Sequence, residues 1–458
     1  MEKNSLRVMI IGAGTGGLCL AHGLKRAGIS VRVFERDRTR RDGLYGYRVG
    51  ISPAGSCAMK QCLPAELFDL FVATCARAPR YFNILTEQLS EVLSIEDPGS
   101  DDPVDSEKSV SRMTLRQVLL TGLEEVVEFD KKFECFDYNT DGTITVHFED
   151  GRSATGDVLV GADGAGSRVR KQRLPHARMD ETGILSIGGK VAMTEETKAL
   201  LSDKVFHGIS LVMAPKGMGA ILHVMEFKWD RHGVKNGVGG NDAELISQWP
   251  GMLYDNTQDY IMWGIWAARK NYPTDPAKLK GEALIQLAGE MTRDWSPKMR
   301  RLIELTDPTT TIAINIKTSV TLEPWESSSV TLLGDAIHTM TPGRGVGANT
   351  ALQDAALLCR RLIEVRDGRQ PLVEAIHAYE VEMLRYSSEA VLESRKQMDA
   401  NGSIHKPVIG RLQLAMMRTG MRFVNAIPAL KRKMAEKEMR LRKIRELNAN
   451  SNGEQVLA

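Results

Sequence analysis

The sequence predicts an α/β protein, with a βαβ unit at its start, a mixed β-sheet region in its middle and helices towards its end, and three stretches carry that prediction. Residues 6–37 run strand, glycine turn, helix, strand. Residues 157–170 run from a buried apolar strand into Gly161-Ala-Asp163-Gly164-Ala-Gly166. Residues 332–360 run from a short apolar strand into Gly334-Asp335, a glycine-rich turn and a helix rich in alanine and leucine. Apolar strands alternating with amphipathic helices are the pattern of a parallel sheet covered on both faces.

The first unit justifies itself residue by residue. Val8-Met-Ile-Ile11 is continuous apolar chain, as a strand buried on both faces requires, and Leu18, Ala21, Leu24 and Ala27 recur at helical spacing before Gly28 stops the helix. Val31-Arg-Val-Phe34 follows and Glu35 ends it. Gly12, Gly14 and Gly17 form a Gly-x-Gly-x-x-Gly match, which alone is weak. Here a strand precedes it, a helix follows, and an acid lies 23 residues on (35 − 12), the context that dinucleotide binding demands. Glu35 is expected to accept from ribose hydroxyls, with Arg36 beside it at the same cofactor. A glycine turn serving only close packing is the competing reading.

Composition narrows the class. The 458 residues leave room for two or three domains, and 60 Lys+Arg against 58 Asp+Glu leave no net field for nucleic acid or an anionic membrane. The six cysteines are scattered without zinc spacing, so no metal is expected and buried thiols are. The chain enters a strand almost at once, and no apolar run approaches the ~20 residues of a membrane span. A cytoplasmic protein without stable membrane insertion is expected.

Further along, helices are predicted at 56–63, 278–293 and 375–395, and strands at 81–85, 91–95, 143–148, 157–160 and 311–317. Gly237-Val-Gly-Gly reads as a turn, not a second dinucleotide motif. Ser111 is a fair N-cap for a helix that sets Arg112 and Arg116 one turn apart, where both could meet one phosphate, although surface arginines are common. The β-rich region 181–317 contributes Trp263, Trp266, Met213 and Met225 as candidates for an apolar pocket, each weighed against ordinary core packing. The basic tail, 405–448, carries i,i+4 pairs such as Glu436 with Arg440, which favour a solvated helix over a membrane or RNA face.

In the third stretch, glycines permit close backbone approach while a helix N-terminus offers unpaired N–H groups to an anion, and the Asp335 carboxylate could accept from a ligand's hydroxyls. The stretch resembles the GD motif of the class A flavoprotein monooxygenases. Gly161-Ala-Asp163-Gly164 resembles the DG motif of the same family, and the order of the three motifs, spanning residues 8–360, matches as well. The resemblance implies a Rossmann-like FAD-binding domain of the para-hydroxybenzoate-hydroxylase type, formed by 1–180 and 318–400. It also implies an inserted mixed β-sheet substrate domain over 181–317, with a contribution from about 75–110, and C-terminal helices over 401–458.

By the same resemblance Gly334 and Asp335 bind FAD, and Gly345, Gly347, Ala348 and Asn349 lie against the flavin. Asp163 and Gly164 lie near the pyrophosphate, with Ser167 and Arg170 matching the motif. Gly50 or Arg48 meets the flavin, and Arg112 contacts FAD with Arg116 as second choice. Arg344 departs from the small or apolar residue of many relatives. The implied activity uses NADPH or NADH and O2 to hydroxylate or epoxidise an aromatic or polycyclic substrate through a flavin C4a-hydroperoxide, in secondary metabolism or antibiotic modification. A monomer or homodimer is expected. No catalytic side chain is assigned, because the cofactor carries the chemistry. A halogenase would show Trp-x-Trp-x-Ile-Pro, whereas Trp263-Gly-Ile-Trp266 has a different spacing. A dehydrogenase or oxidase on the same fold is the other alternative.

Overall fold

The computed structural model describes residues 6–40, 48–97, 99–100, 102–230, 233–234 and 258–434. The turn expected at 237–240 and the pairing expected at 436–440 lie outside the described residues. The chain opens with β1 (Arg7–Ile11), α1 (Thr15–Arg26), β2 (Ser30–Phe34), β3 (Arg48–Ile51), α2 (Pro53–Cys62) and α3 (Ala65–Ala73). Next come β4 (Tyr81–Leu85), β5 (Glu91–Glu96), β6 (Lys108–Ser111), α4 (Arg112–Leu120) and β7 (Val127–Glu128). A ribbon of β8 (Phe133–Tyr138), β9 (Ile144–Phe148) and β10 (Ser153–Gly156) leads to β11 (Val158–Gly161) and α5 (Arg168–Arg173).

The middle of the chain holds β12 (Met179–Ala192), α6 (Glu195–Ala199), α7 (Asp203–Phe206), β13 (Gly208–Met213) and β14 (Gly219–Met225). It continues through β15 (Trp229–Asp230), β16 (Gly233–Val234), β17 (Tyr260–Ala268), α8 (Glu282–Met291), α9 (Pro297–Glu304) and β18 (Ile312–Ser319). It closes on β19 (Val330–Leu332), α10 (Asp335–His338), α11 (Gly347–Arg366), α12 (Leu372–Gln397) and α13 (Pro407–Ala426).

Five parallel strands in the order β19-β11-β1-β2-β7 form the first sheet, so a strand from late in the chain completes a sheet begun at its start. Its interior is Val8, Ile10, Val33, Leu159 and Leu332, all essentially inaccessible. Helix α1 packs on α11 across small residues. A Cβ on Gly16 would lie 2.7 Å from the Leu333 side chain and 3.0 Å from the Ala351 carbonyl oxygen, and one on Gly23 would lie 2.7 Å from the Cys359 sulfur. The two helices therefore run closer than side chains at those positions would permit.

The second sheet has seven strands, β18-β12-β17-β14-β13-β4-β5, antiparallel except where β4 runs parallel to β13. Segment 81–96 thus joins strands drawn from 179–319. In a strand, side chains alternate between faces. Ile261, Trp263 and Ile265 point to the face covered by α8 and α9, where they join Leu284, Met299 and Leu302 in one core. Tyr260 and Met262 point the other way, into a small cluster with Met225, Phe227 and Ala76.

One helix boundary needs correction, and the readings of Ser111 and Trp263 are sharpened. The helix expected to begin at 56 begins at Pro53, because Ser52 supplies the N-cap, its hydroxyl accepting from Gly55 N–H at 3.5 Å, and proline suits the first turn. Ser111 occupies the N-cap of α4 without a side-chain capping bond; it is the buried end of β6, opposite Arg48. Trp263 belongs to the core on the back of the sheet, with its indole N–H donating to Thr306 at 2.7 Å. Trp266, three residues on, must point to the opposite face. Among the described residues, no helix is long and apolar enough to cross a membrane, no group of His, Cys, Asp and Glu has metal-ligand placement, and all six cysteines are free thiols.

Candidate active site

The glycine turn after β1 is built for close approach. Gly12 sits at φ +108°, and a Cβ there would fall 2.5 Å from the Ala162 carbonyl oxygen; a Cβ on Gly17 would fall 2.4 Å from the Gly12 carbonyl oxygen. Both positions are filled by neighbouring backbone. Gly14 differs, having nothing within 4 Å of a built Cβ and lying at the N-cap of α1 with no side-chain cap. The first N–H groups of α1 therefore face open space, the arrangement that attracts an anion.

Glu35 stands across from that opening. Its Oε2 accepts from Ala13 N–H at 2.7 Å and its Oε1 from Asp37 N–H at 3.0 Å, so the buried carboxylate is fixed by backbone donors. Arg116 lies 2.8 Å from Asp37 and 3.8 Å from Glu35. The expected sharing of one phosphate by Arg112 and Arg116 is not what the geometry gives. Arg116 turns to these carboxylates, whereas exposed Arg112 lies near enough to Asp335 to lower its pKa. Arg36 is exposed.

After β11, Asp163 Oδ2 accepts from Arg168 N–H at 2.7 Å, while its Oδ1 is buried and has no hydrogen-bond partner. Gly164 adopts φ +75°. Ser167 caps α5 by accepting from Arg170 N–H at 2.9 Å. The Arg170 guanidinium donates to the carbonyls of Ala336, 2.7 Å, and Ala165, 2.9 Å, tying this loop to α10. Burial lowers the Arg170 pKa and Asp163 opposes that shift.

Gly334, at φ 61° and ψ −144°, turns β19 into α10 and delivers Asp335. That side chain is open to the cleft but walled by protein. Desolvation consequently raises its carboxyl above the usual range, against His338 and Arg112, which hold it down. Behind it lies a buried network. Asp354 Oδ2 accepts from Gly334 N–H at 2.7 Å and from His338 Nε2 at 2.6 Å, and Oδ1 accepts from Tyr386 O–H at 2.5 Å. For His338, desolvation pushes the imidazole pKa down, but the Asp354 charge and hydrogen bond push it up further, and the net shift is upward.

The turn before α11 places Gly345 in the left-handed region at φ 64°, and α11 begins at Gly347 with no side-chain cap, with Ala348 half-buried in its first turn. Arg344 lies half-buried in this turn. Asn349 clamps the start of α11 to β3, since Ser52 N–H donates to its Oδ1 at 2.9 Å and its Nδ2 donates to the carbonyls of Gly50, 2.9 Å, and Gly345, 3.3 Å. Two uncapped helix N-termini, from α1 and α11, thus flank Glu35 and Asp335.

The ribbon β3–β6 links this cradle to the second sheet. Arg48 Nε donates to Ser109 Oγ at 2.8 Å, and Ser109 Oγ lies 3.1 Å from His223 Nε2 on β14. Burial, then the Arg48 charge, push the His223 pKa well below its ordinary value. With the imidazole neutral, the hydroxyl that accepts from Arg48 donates to Nε2. Burial also lowers Arg48 to about 10. His223 pairs in register with Met262, and Met262 with Lys190, so the three share one face; the Lys190 ammonium sits 4.6 Å from the Tyr260 ring centroid. This face is apolar with a cationic edge. Ser109, His223, Tyr260, Asp354 and Tyr386 were not singled out from the sequence. Asp354 alone left a readable sign, a lone acid within the run of Ala and Leu that buries α11.

FAD fits this arrangement. The open N-terminus of α1 at Gly14, the carboxylates of Glu35 and Asp335 on either side, and the unpartnered Asp163 Oδ1 between them offer what a pyrophosphate and two sets of sugar-type hydroxyls need. Comparison with known proteins points the same way. The profile of a family described as an FAD binding domain matches residues 5–45 and 288–394. The crystal structure of a protein from Photorhabdus luminescens, described as an FAD-containing monooxygenase, superposes with a TM-score of 0.74 at 32% identity, covering 88% of this chain and 100% of that one. A dual O-methyltransferase/FAD-dependent monooxygenase of Cercospora beticola is 31% identical over 83% of this chain, which spans 44% of that curated relative's length. Klebsiella pneumoniae HpxO, solved with FAD and uric acid, shares the fold with a TM-score of 0.69 at 22% identity, over 94% of this chain and 97% of that one. On motifs, fold and these relatives together, the chain belongs to the class A FAD-dependent flavoprotein monooxygenases.

Proposed function

We propose that the chain uses NAD(P)H and O2 to insert one oxygen into an aromatic or polycyclic organic substrate, by hydroxylation or epoxidation. One oxygen atom enters the substrate and the other leaves as water, with NAD(P)H supplying two electrons and, with solvent, the two protons. The observation that carries this reading is the juxtaposition of the two-helix cradle with the apolar face of Met225, Tyr260 and Met262 across the β3–β6 ribbon. The related names fit it: a zeaxanthin epoxidase matches at 25% identity and a Trichoderma harzianum FAD-dependent monooxygenase at 27%.

Bound FAD would accept the electrons from NAD(P)H and supply the oxygen chemistry at the cleft. The chain's own residues do the rest. Glu35 would hold the adenosine ribose and Asp335 the ribityl hydroxyls, while Gly14 admits the pyrophosphate to the α1 N-terminus. Gly334, Gly345, Gly347 and Ala348 leave room for the cofactor, and Asn349 fixes α11 so that its N-terminal dipole stabilises negative charge accumulating beside it. Arg112 adds a cation beside Asp335. The apolar sheet face excludes water and takes the aromatic rings, and Arg48, held by Ser109, meets an anionic or hydroxyl substituent.

The test is NADPH and NADH oxidation by the FAD-loaded protein against a panel of phenols, indoles and polycyclic aromatics, with products weighed. Substrate-stimulated oxidation and a product one oxygen heavier is the expected result. A product two hydrogens lighter would make it a dehydrogenase, and a halogen-bearing product a halogenase.

A further inference from the structure

Helix α13 is apolar on two opposite faces, and only one of them is used. On the inner face Met421 and Val424 pack on Ile84, Val92 and Leu93 of the second sheet. The helix is locked in that orientation. Arg418 bonds Glu87 and the Met213 carbonyl, Asn425 Nδ2 donates to Glu91 at 2.8 Å, and Ser94 N–H donates to Asn425 Oδ1 at 3.2 Å. A Cβ on Gly410 would lie 2.2 Å from the Ile404 carbonyl oxygen, so the start of the helix is pinned as well.

The outer face carries Val408, Leu412, Met416 and Phe423, exposed at 79%, 62%, 60% and 62%, with Ile409 beside them at 55%. Steps of four, four and seven place them on one stripe of a helix. The stripe continues past the helix end through Leu430 and Met434, at 38% and 41%. Isolated exposed apolar side chains need no explanation, but a contiguous stripe of this length does. Arg411 and Arg422 border it, and among the described residues neither pairs with a carboxylate. From 400 to 434 the sequence has seven Lys and Arg and no Asp or Glu.

We infer that this face docks on the surface of an anionic lipid bilayer, with α13 lying in the plane of the interface. Such a surface satisfies both features at once, since acyl chains receive the stripe and headgroups meet the cations that border it. A second copy of the chain would bury the apolar stripe equally well, but a symmetric contact would set Arg411, Arg422 and the Lys431-Arg-Lys433 run of each copy against those of the other, and that repulsion opposes it. At 20 residues the helix is long enough to cross a bilayer, but with Arg411, Arg418 and Arg422 it is not apolar enough to do so, which leaves docking in the interface. This inference is independent of the substrate.

The experiment is flotation of the 458-residue chain with vesicles of phosphatidylcholine alone and of phosphatidylcholine with about 30% phosphatidylserine, at low and at high salt. The chain is expected to float with the anionic vesicles at low salt, to stay below with the neutral ones, and to be released by salt. Replacing Arg411→Glu with Arg422→Glu should weaken binding by about thirtyfold or more, from about fivefold per basic residue removed, and Leu412→Ser with Phe423→Ser should abolish it. Both pairs are exposed, so melting temperature and FAD content should match the parent, as should Lys298→Glu, an exposed cation elsewhere. The inference is overturned by absence of flotation, by binding indifferent to lipid charge, or by vesicle binding that survives both double substitutions. A dimer that the Leu412 and Phe423 substitutions dissociate would overturn it in favour of a second copy as the occupant.

Discussion

The five-stranded and seven-stranded sheets are linked through Arg48, Ser109 and His223, yet they bring different material to the proposed site. The first contributes mainly backbone: helix N-termini, glycines crowded by carbonyl oxygens, and carboxylates held by N–H groups. The second contributes side chains on one of two alternating faces. A site made from backbone tolerates few residue types at fixed spacing, whereas a site made from a sheet face tolerates many. The first half is therefore specified locally and the second only once the strands are paired.

The severest way to break the comparison is Gly12→Ala. The new methyl meets a carbonyl oxygen at 2.5 Å on a backbone at φ +108°, so the turn must shift. Complete loss of FAD absorbance and destabilisation by roughly 3 kcal/mol or more are expected in flavin spectra and chemical unfolding. Gly14→Ala is its counterpart, since no atom lies within 4 Å of the added Cβ. Its melting temperature should stay with the parent while FAD affinity falls, which separates a glycine needed by the fold from one needed by the ligand.

Asp354→Asn comes next. It removes the charge that compensates buried His338 and weakens the acceptor for Gly334 N–H, so about 3–5 kcal/mol of stability is expected to go, with a looser Asp335 and faster FAD release. Because the folded pKa of His338 is raised, its contribution is fully present below the unfolded value of 6.5 and is lost as pH rises through the folded pKa. That dependence, read from unfolding at several pH values, should vanish in the variant; if it persists, His338 is not its source.

His22 gives the opposite sign. Its buried ring donates from Nε2 to the Leu119 carbonyl at 2.9 Å, and burial lowers its pKa from 6.5 to about 4. Between those values the unfolded chain holds the extra proton, so stability falls as pH drops through this window, by up to about 3 kcal/mol in total. In His22→Gln the slope between pH 4 and 6.5 should flatten by that amount.

The smallest effects distinguish the two faces of β17. Trp263→Phe loses the bond to Thr306 inside the back core and should cost about 1–2 kcal/mol of stability, with KM unchanged. Trp266→Phe, on the opposite face, where the ring packs against Ile184, Ala268 and Met398, should cost less, under about 1 kcal/mol, and move KM. The reverse pattern would mean that the faces are misassigned.

Legibility followed the same division. The three glycine motifs and the strands leading into them could be read because Gly12, Gly17 and Gly334 sit where a side chain is excluded or φ is positive. The cleft face could not. Trp263 and Trp266 look equivalent in the sequence, and only the pairing of β17 with β12 and β14 sends them to opposite faces of the sheet, into different apolar clusters. Arg112 and Arg116 show the limit of helical spacing, for one turn of separation did not stop Arg116 from being drawn to Asp37. His223 and Ser109 meet across 114 residues of chain, and nothing local announces such a contact.

Strand β19 pairs with β11, and α11 covers α1. While the chain is being synthesised, β11 therefore emerges long before its partner. Roughly 170 residues separate the two strands, and at typical elongation rates the edge of the first sheet stays unpaired for on the order of ten seconds. Until then the nascent half presents an open apolar edge and an uncovered helix. Cofactor loading has to wait until β19 and α11 have both emerged, and truncation before β19 should yield an aggregating fragment that needs a chaperone, not a smaller flavoprotein.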